Sequence, residues 1–293
     1  MNEPAPAPKR WLSRLGALVM VLASSASAQN PPAPAPQPAQ PAPPPPATPA
    51  TAATQPGAYL DVIGQQVKAR WRQMYRDTPP ALSSERLRNA FTLGGLMAES
   101  NLAVQAGDGQ RFRNNNQEIQ KFCGVLGLTD KISTDINVGS KMAESEDWPA
   151  LRKQVEQMQQ HIESVLNEQR DEDLAILTNL GQWIRLMDIG SSLVVGAPEL
   201  ADKSICIGSV PLLNDLVGRF DHLSEVSKTN ESVAYVGGVL EMLQRHWTAA
   251  QGVATDEVVQ MTRDKLKFVI GKVEASKGSS EQSAVKSKPA APP

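Results

Sequence analysis

Between residues 57 and 275 apolar side chains recur at helical spacing. Leu151, Val155, Met158, Ile162 and Val165 follow one another in alternating steps of four and three residues, which sets them on one helical face. Arg152, Lys153, Glu156 and Glu163 fall off that face. The same spacing links Leu213, Leu216, Phe220 and Leu223. It links Val236, Leu240, Leu243 and Trp247, and again Val258, Met261, Leu266, Val269 and Val273. Start signals accompany these runs. Pro149, Pro198 and Pro211 read as first-turn prolines, where the missing N–H has no intrahelical partner to lose. Ser83 or Ser84 is the expected cap of a helix carrying Leu87, Phe91, Gly94 and Ala98. Thr229 or Asn230, and Thr255 or Asp256, are further expected caps. No alternating run bounded by hairpin turns occurs. The pattern predicts an all-α fold, a single irregular bundle of about eight to ten helices between Tyr59 and Ala275.

One segment breaks the amphipathic rule. Leu174 to Val195 is apolar on nearly every side, which predicts a helix at the centre of the bundle. Gly94-Gly95, Gly181 and Gly237-Gly238 interrupt otherwise good helices, each at a cost of roughly 1 kcal/mol relative to Ala. Close backbone contact between crossing helices would offset that cost; a kink or a helix end would also account for it. Leu93-Gly94 precedes Cys123 much as Leu180-Gly181 precedes Cys206. This faint echo allows two similar helical halves with the cysteines in matching positions.

Composition marks the boundaries. Lys9, Arg10 and Arg14, the apolar run Leu15 to Ala23 and the small residues Ala26 and Ala28 read as a signal peptide over residues 1–28, cleaved before Gln29. No Cys lies near that site, so lipid attachment there is ruled out. Twelve of the 23 prolines fall between Pro31 and Pro56, so residues 29–56 read as a disordered Pro/Ala-rich linker. Residues 57–275 form the helical domain and 276–293 a disordered tail. The expectation is a periplasmic or secreted protein with no transmembrane span in the mature chain.

With 29 basic and 31 acidic residues the net charge is -2, and no basic stripe of the kind a nucleic-acid binder carries is present. His161, His222 and His246 are far apart, and none has Glu three residues before it. CxxC, HExxH, GxSxG and SxxK are absent. These absences predict no metal, no cofactor and no catalytic residues. Asn230-Glu-Ser232 matches a glycosylation sequon, a triplet common by chance. Cys123 and Cys206 either join in one disulfide or stay as two separate buried thiols.

Two polar clusters remain. Gln182, Arg185 and Asp188 form a stripe on the apolar central segment, and Arg185 can pair with Asp188 at i,i+3. Facing a cavity, the stripe would orient a ligand; otherwise it is a buried structural ion pair or an exposed edge. Glu99, on another apolar helix, is a candidate partner of Arg185. The run Arg111 to Glu118 holds two Arg and three Asn, and its donors would suit an anion at a helix start or simply cap that helix.

Phe91 to Ala103 contains a Leu-Gly-x-x-x-Ala helix, and Arg170 to Ile184 ends in Gly-Gln-Trp-Ile. Over residues 85–195 these segments resemble uncharacterised all-helical envelope proteins of bacteria, many of them lipoproteins. The resemblance implies an exported helical domain and carries no activity or site residues. This chain departs from those lipoproteins in lacking an acylated Cys. The expected function is non-catalytic: an envelope interaction or structural protein. The alternative is a small-ligand carrier with its pocket at Gln182, Arg185 and Asp188.

Overall fold

A computed structural model describes residues 55–251 and 254–275. The expected signal peptide, nearly all of the expected linker and the expected tail lie outside the described residues. Within them the chain forms ten α-helices and two 3-10 turns, with no strand. The helices are α1 (Pro56–Gln66), α2 (Arg86–Gln105), α3 (Gly109–Leu126), α4 (Thr129–Glu144), α5 (Trp148–Glu168), α6 (Glu172–Val195), α7 (Val210–Asp221), α8 (Glu225–Lys228), α9 (Glu231–Ala249) and α10 (Asp256–Glu274). The 3-10 turns are Trp71–Met74 and Lys203–Ile207. The all-α expectation is correct.

Helix α6 is central, as its all-round apolar sequence requires. Helix α2 is its equal: nearly every residue from Arg88 to Val104 is buried. These two helices pack on each other more extensively than any other pair. On one side α3, α4 and α5 follow α2 in sequence, and α5 returns to both α2 and α6. On the other side α10 and α7 lie on α6, with α9 between them. The face read on α5 is the buried one, Leu151 through Val165. Trp247 of α9 is fully enclosed and donates from Nε1 to Thr262 Oγ1 of α10 at 3.0 Å.

The α2–α6 crossing explains two of the glycines. A Cβ on Gly94 would overlap the carbonyl oxygen of Thr178, and one on Gly181 would overlap that of Phe91. Each glycine therefore admits the backbone of the other helix, and close contact outweighs the propensity loss. The echo goes no further. Cys123 sits in α3 and Cys206 in a 3-10 turn, so the cysteines do not occupy matching positions. Both are free and buried, the second of the two alternatives the sequence left open. Burial pushes the Cys123 thiol up to about 12.

Two of the expected caps form, and two start signals need adjustment. Asn230 caps α9, accepting from the backbone N–H of Ser232 and Val233, and Thr255 accepts from Val258 N–H at the start of α10. Neither Ser83 nor Ser84 caps α2, which follows Glu85 without a side-chain cap. Instead Asn89 reaches back, accepting from Ser83 N–H at 2.9 Å and donating to its carbonyl at 2.8 Å. Pro198 lies in a turn and starts no helix. The chain next winds at Lys203–Ile207, where the Asp202 side chain accepts from Ser204 N–H at 3.0 Å.

Candidate functional site

The polar centre is built where α2, α6 and α10 meet beneath the irregular segment 67–80. Arg185 and Asp188 project from successive turns of α6. Asp188 accepts from Arg185 Nη1, so the i,i+3 pair forms. Arg185 Nε donates to Glu99 Oε1 of α2 at 2.7 Å, which realises the predicted partnership. Arg185 Nη2 donates to the Met74 carbonyl at 2.6 Å and also lies 2.6 Å from Glu99 Oε1. The guanidinium is thereby committed on all three nitrogens within the protein.

Gln182, the third member of the stripe, goes elsewhere. It is buried, and its Nε2 donates to Gln159 Oε1 of α5 at 2.9 Å. The stripe is thus divided between two neighbours of α6.

Two further arginines enter from outside the pattern. Arg76 Nε donates to Glu99 Oε1 at 3.2 Å, and Arg76 Nη1 pairs with Glu274 at the end of α10. Arg111, in the first turn of α3, lies 3.9 Å from Glu99 Oε2 and donates from Nη2 to the Arg76 carbonyl at 2.9 Å. Its guanidinium stacks 4.8 Å from the centre of the Tyr75 ring. Three guanidiniums therefore surround one carboxylate. Glu99, Asp188 and Glu274 supply three balancing anions, without which so many buried charges would not be tolerated.

Burial and charge act against each other here. Burial pulls the Arg185 guanidinium down, but the Glu99 and Asp188 carboxylates outweigh it and hold the group charged. Burial pushes the Asp188 carboxyl up against the pull of Arg185. The network is also incomplete. Glu99 Oε2, Arg76 Nη2, Asp188 Oδ1 and Tyr75 Oη are buried with no hydrogen-bond partner. Arg76 Nη2 rests on Gly95, where a Cβ would stand 2.6 Å away, so the second glycine of Gly94-Gly95 makes room for a guanidinium.

Hollows flank this cluster. One of about 370 Å³ is bounded by Arg76, Pro79, Pro80, Leu96, Glu99 and Arg111, with Asn114, Gln117 and Glu118 at its edge. A second, about 360 Å³, shares Arg76 and is bounded by Arg185, Asp188 and Lys267. The Arg111-to-Glu118 run thus lines the first hollow, though not all its donors face it. Asn115 Nδ2 donates to the Leu96 carbonyl and Ser100 Oγ, and Asn116 Nδ2 to the Ile136 carbonyl and Ser140 Oγ. These two asparagines tie α3 to its neighbours, and Asp108 caps the helix.

Sequence reasoning found Glu99, Arg185, Asp188 and Arg111 but missed Arg76 and Glu274. Arg76 belongs to no periodic run, and Gly95 was its only trace. Elsewhere, Tyr235 and Phe268 form an exposed edge-to-face pair with centroids 5.9 Å apart, capped by Lys272. Among the described residues no group of His, Cys, Asp and Glu is placed to hold a metal ion, and no helix is long and apolar enough to cross a membrane. No protein-family model, no curated protein and no solved structure matches this chain.

Proposed function

We propose that this protein is an exported, non-catalytic helical domain that binds a small ligand in the hollow beside Glu99 and Arg111. The observation that carries this reading is the incomplete charge cluster under that hollow. Buried ion pairs are weak contributors to stability, because desolvation offsets their attraction. Four unpartnered buried polar atoms make this cluster weaker still as a purely structural device. The adjoining 370 Å³ lies at the small end of the range of about 300–1,000 Å³ typical of small-molecule sites. The ligand site moves from the predicted stripe to its neighbour. Arg185 has its nitrogens engaged, whereas Arg111 keeps about a third of its side chain exposed. Export is supported by the charged start, the apolar run and the Ala-x-Ala site of residues 9–28. The periplasm is the proposed compartment.

Native mass spectrometry of the chain, purified gently from its own cells, tests this. An excess mass of a few hundred daltons, lost in Arg111→Gln, is expected. A clean chain mass would count against a tight ligand. A second reading, an envelope protein-interaction domain, is favoured by the exposed Tyr235–Phe268 pair, since aromatic anchors of this kind are frequent at interfaces. Co-purification of a polypeptide lost in the Phe268→Ser variant would support it.

A further inference from the structure

Taking the small-ligand reading as its basis, we infer that the hollow between segment 76–80 and helices α2 and α3 takes a small zwitterion: an α-amino acid with an apolar side chain.

The charges facing the hollow decide against a simple ion. Arg76 and Arg111 stand on its wall with Glu99 and Glu118, two cations against two anions. A cation would meet the guanidiniums, and three of these already crowd Glu99. A plain carboxylate would have to draw Arg111 towards itself. Arg111 is the less tightly held of the two cations: its nearest carboxylate oxygen is 3.9 Å away, beyond hydrogen-bond range, and besides its stacking on Tyr75 the guanidinium makes one hydrogen bond among the described residues, from Nη2 to the Arg76 carbonyl. Turning Arg111 outward uncovers Glu99 Oε2, which already lacks a hydrogen-bond partner although Glu99 is only 2% exposed. A bare carboxylate would then lie beside the uncovered Oε2, which Arg76 and Arg185, both on Oε1, leave without a hydrogen bond. An ammonium one carbon away from the ligand carboxylate removes that conflict.

The exchange is therefore reciprocal. The ligand carboxylate accepts from Arg111, a fork suited to carboxylate. The ligand ammonium donates to Glu99 Oε2, replacing the cation that has turned away. Pro79, Pro80 and Leu96 complete the wall and offer apolar surface to a side chain.

Isothermal titration of the full chain tests this with four probes: L-leucine, L-glutamine, isocaproate and isoamylamine. Isocaproate keeps the carboxylate of leucine without its amine, and isoamylamine keeps the amine without the carboxylate. Leucine is expected to bind at least ~10-fold more tightly than either and than glutamine. Arg111→Gln is expected to weaken leucine binding by ~10-fold or more. Should that variant fail to fold, the comparison among the four probes on the unsubstituted protein still decides. Isocaproate binding as well as leucine, or leucine failing to bind at about 10 mM, overturns the inference. An adduct that is not an amino acid, seen in the native mass spectrum, would overturn it while leaving the small-ligand reading intact. A clean chain mass together with four silent titrations would remove both.

Discussion

Arg185 ties three parts of the chain together. One guanidinium joins α6 to α2 through Glu99, to its own helix through Asp188 and to segment 67–80 through the Met74 carbonyl. Cutting such a charge away leaves two buried carboxylates without their main partner, which is costlier than never having had the pair. Arg185→Ala is expected to lose about 3–5 kcal/mol of unfolding free energy in urea denaturation. Arg185→Lys should fall between the two, because a point charge cannot serve three acceptors at fixed angles. A loss below ~1 kcal/mol in the alanine variant would show that the cluster does not hold the fold together. The sequence made part of this site readable for a simple reason. A charged residue inside an apolar stretch needs a partner, and Glu99, Arg185 and Asp188 each interrupt such a stretch. Arg76 and Arg111 stand where charge is ordinary, in a loop and at a helix start. Only the tertiary structure turns them inward.

At the scale of helices, the crossing of α2 and α6 depends on the absence of two side chains. Gly94 and Gly181 each face a backbone carbonyl of the opposite helix, so relief by rotation of a flexible neighbour is not available. A methyl group at either position must push the helix axes apart and open the best-packed contact in the molecule. Gly94→Ala and Gly181→Ala should each lower stability by at least ~2–3 kcal/mol, despite alanine's better helix propensity. Gly238→Ala is the control. Nothing lies within 4 Å of the Cβ it would add, so it should be neutral or gain up to ~1 kcal/mol. Thermal melting of the three variants side by side checks this; equal behaviour would mean that the crossing yields easily. Glycines mid-helix were visible in the sequence, but their purpose was not. A close crossing, a kink and a helix end leave the same mark on a single chain. The apolar stripes were more legible, since each records which face is buried. The Ser83 and Pro198 signals misled because caps and first-turn prolines also occur in turns. Asn89 and Asp202 had taken over the local hydrogen bonding.

At the largest scale, the described residues form a pair of enclosed helices wrapped by amphipathic ones. Periodicity could not show which helices meet, because an amphipathic stripe tells a helix to bury a face without saying against what. The all-apolar α6 escaped that ambiguity. Helix α2 did not stand out, because Arg88, Asn89, Glu99 and Asn101 make it look half polar although all four are buried. The arrangement implies a gradient of local stability. Amides of α2 and α6 are covered from several directions, so they should exchange only when the whole domain unfolds. Segment 67–80 has one short 3-10 turn, and Lys68, Arg70 and Arg72 are exposed along it. Its attachment to the core combines the packing of Val67, Trp71, Met74 and Tyr75 with acceptance by the Met74 and Arg76 carbonyls and the Arg76 ion pairs. Hydrogen exchange followed by mass spectrometry should therefore show α2 and α6 slowest and segment 67–80 among the fastest, by a factor of ~100 or more. A ligand seated against Pro79 and Pro80 would add contacts to this segment that outweigh the Arg111 hydrogen bond to the Arg76 carbonyl given up when Arg111 turns. Protection should then rise in residues 75–80 and leave α7 to α9 unchanged. Uniform protection across the domain, with or without ligand, would mean that segment 67–80 is fixed as firmly as the core it covers.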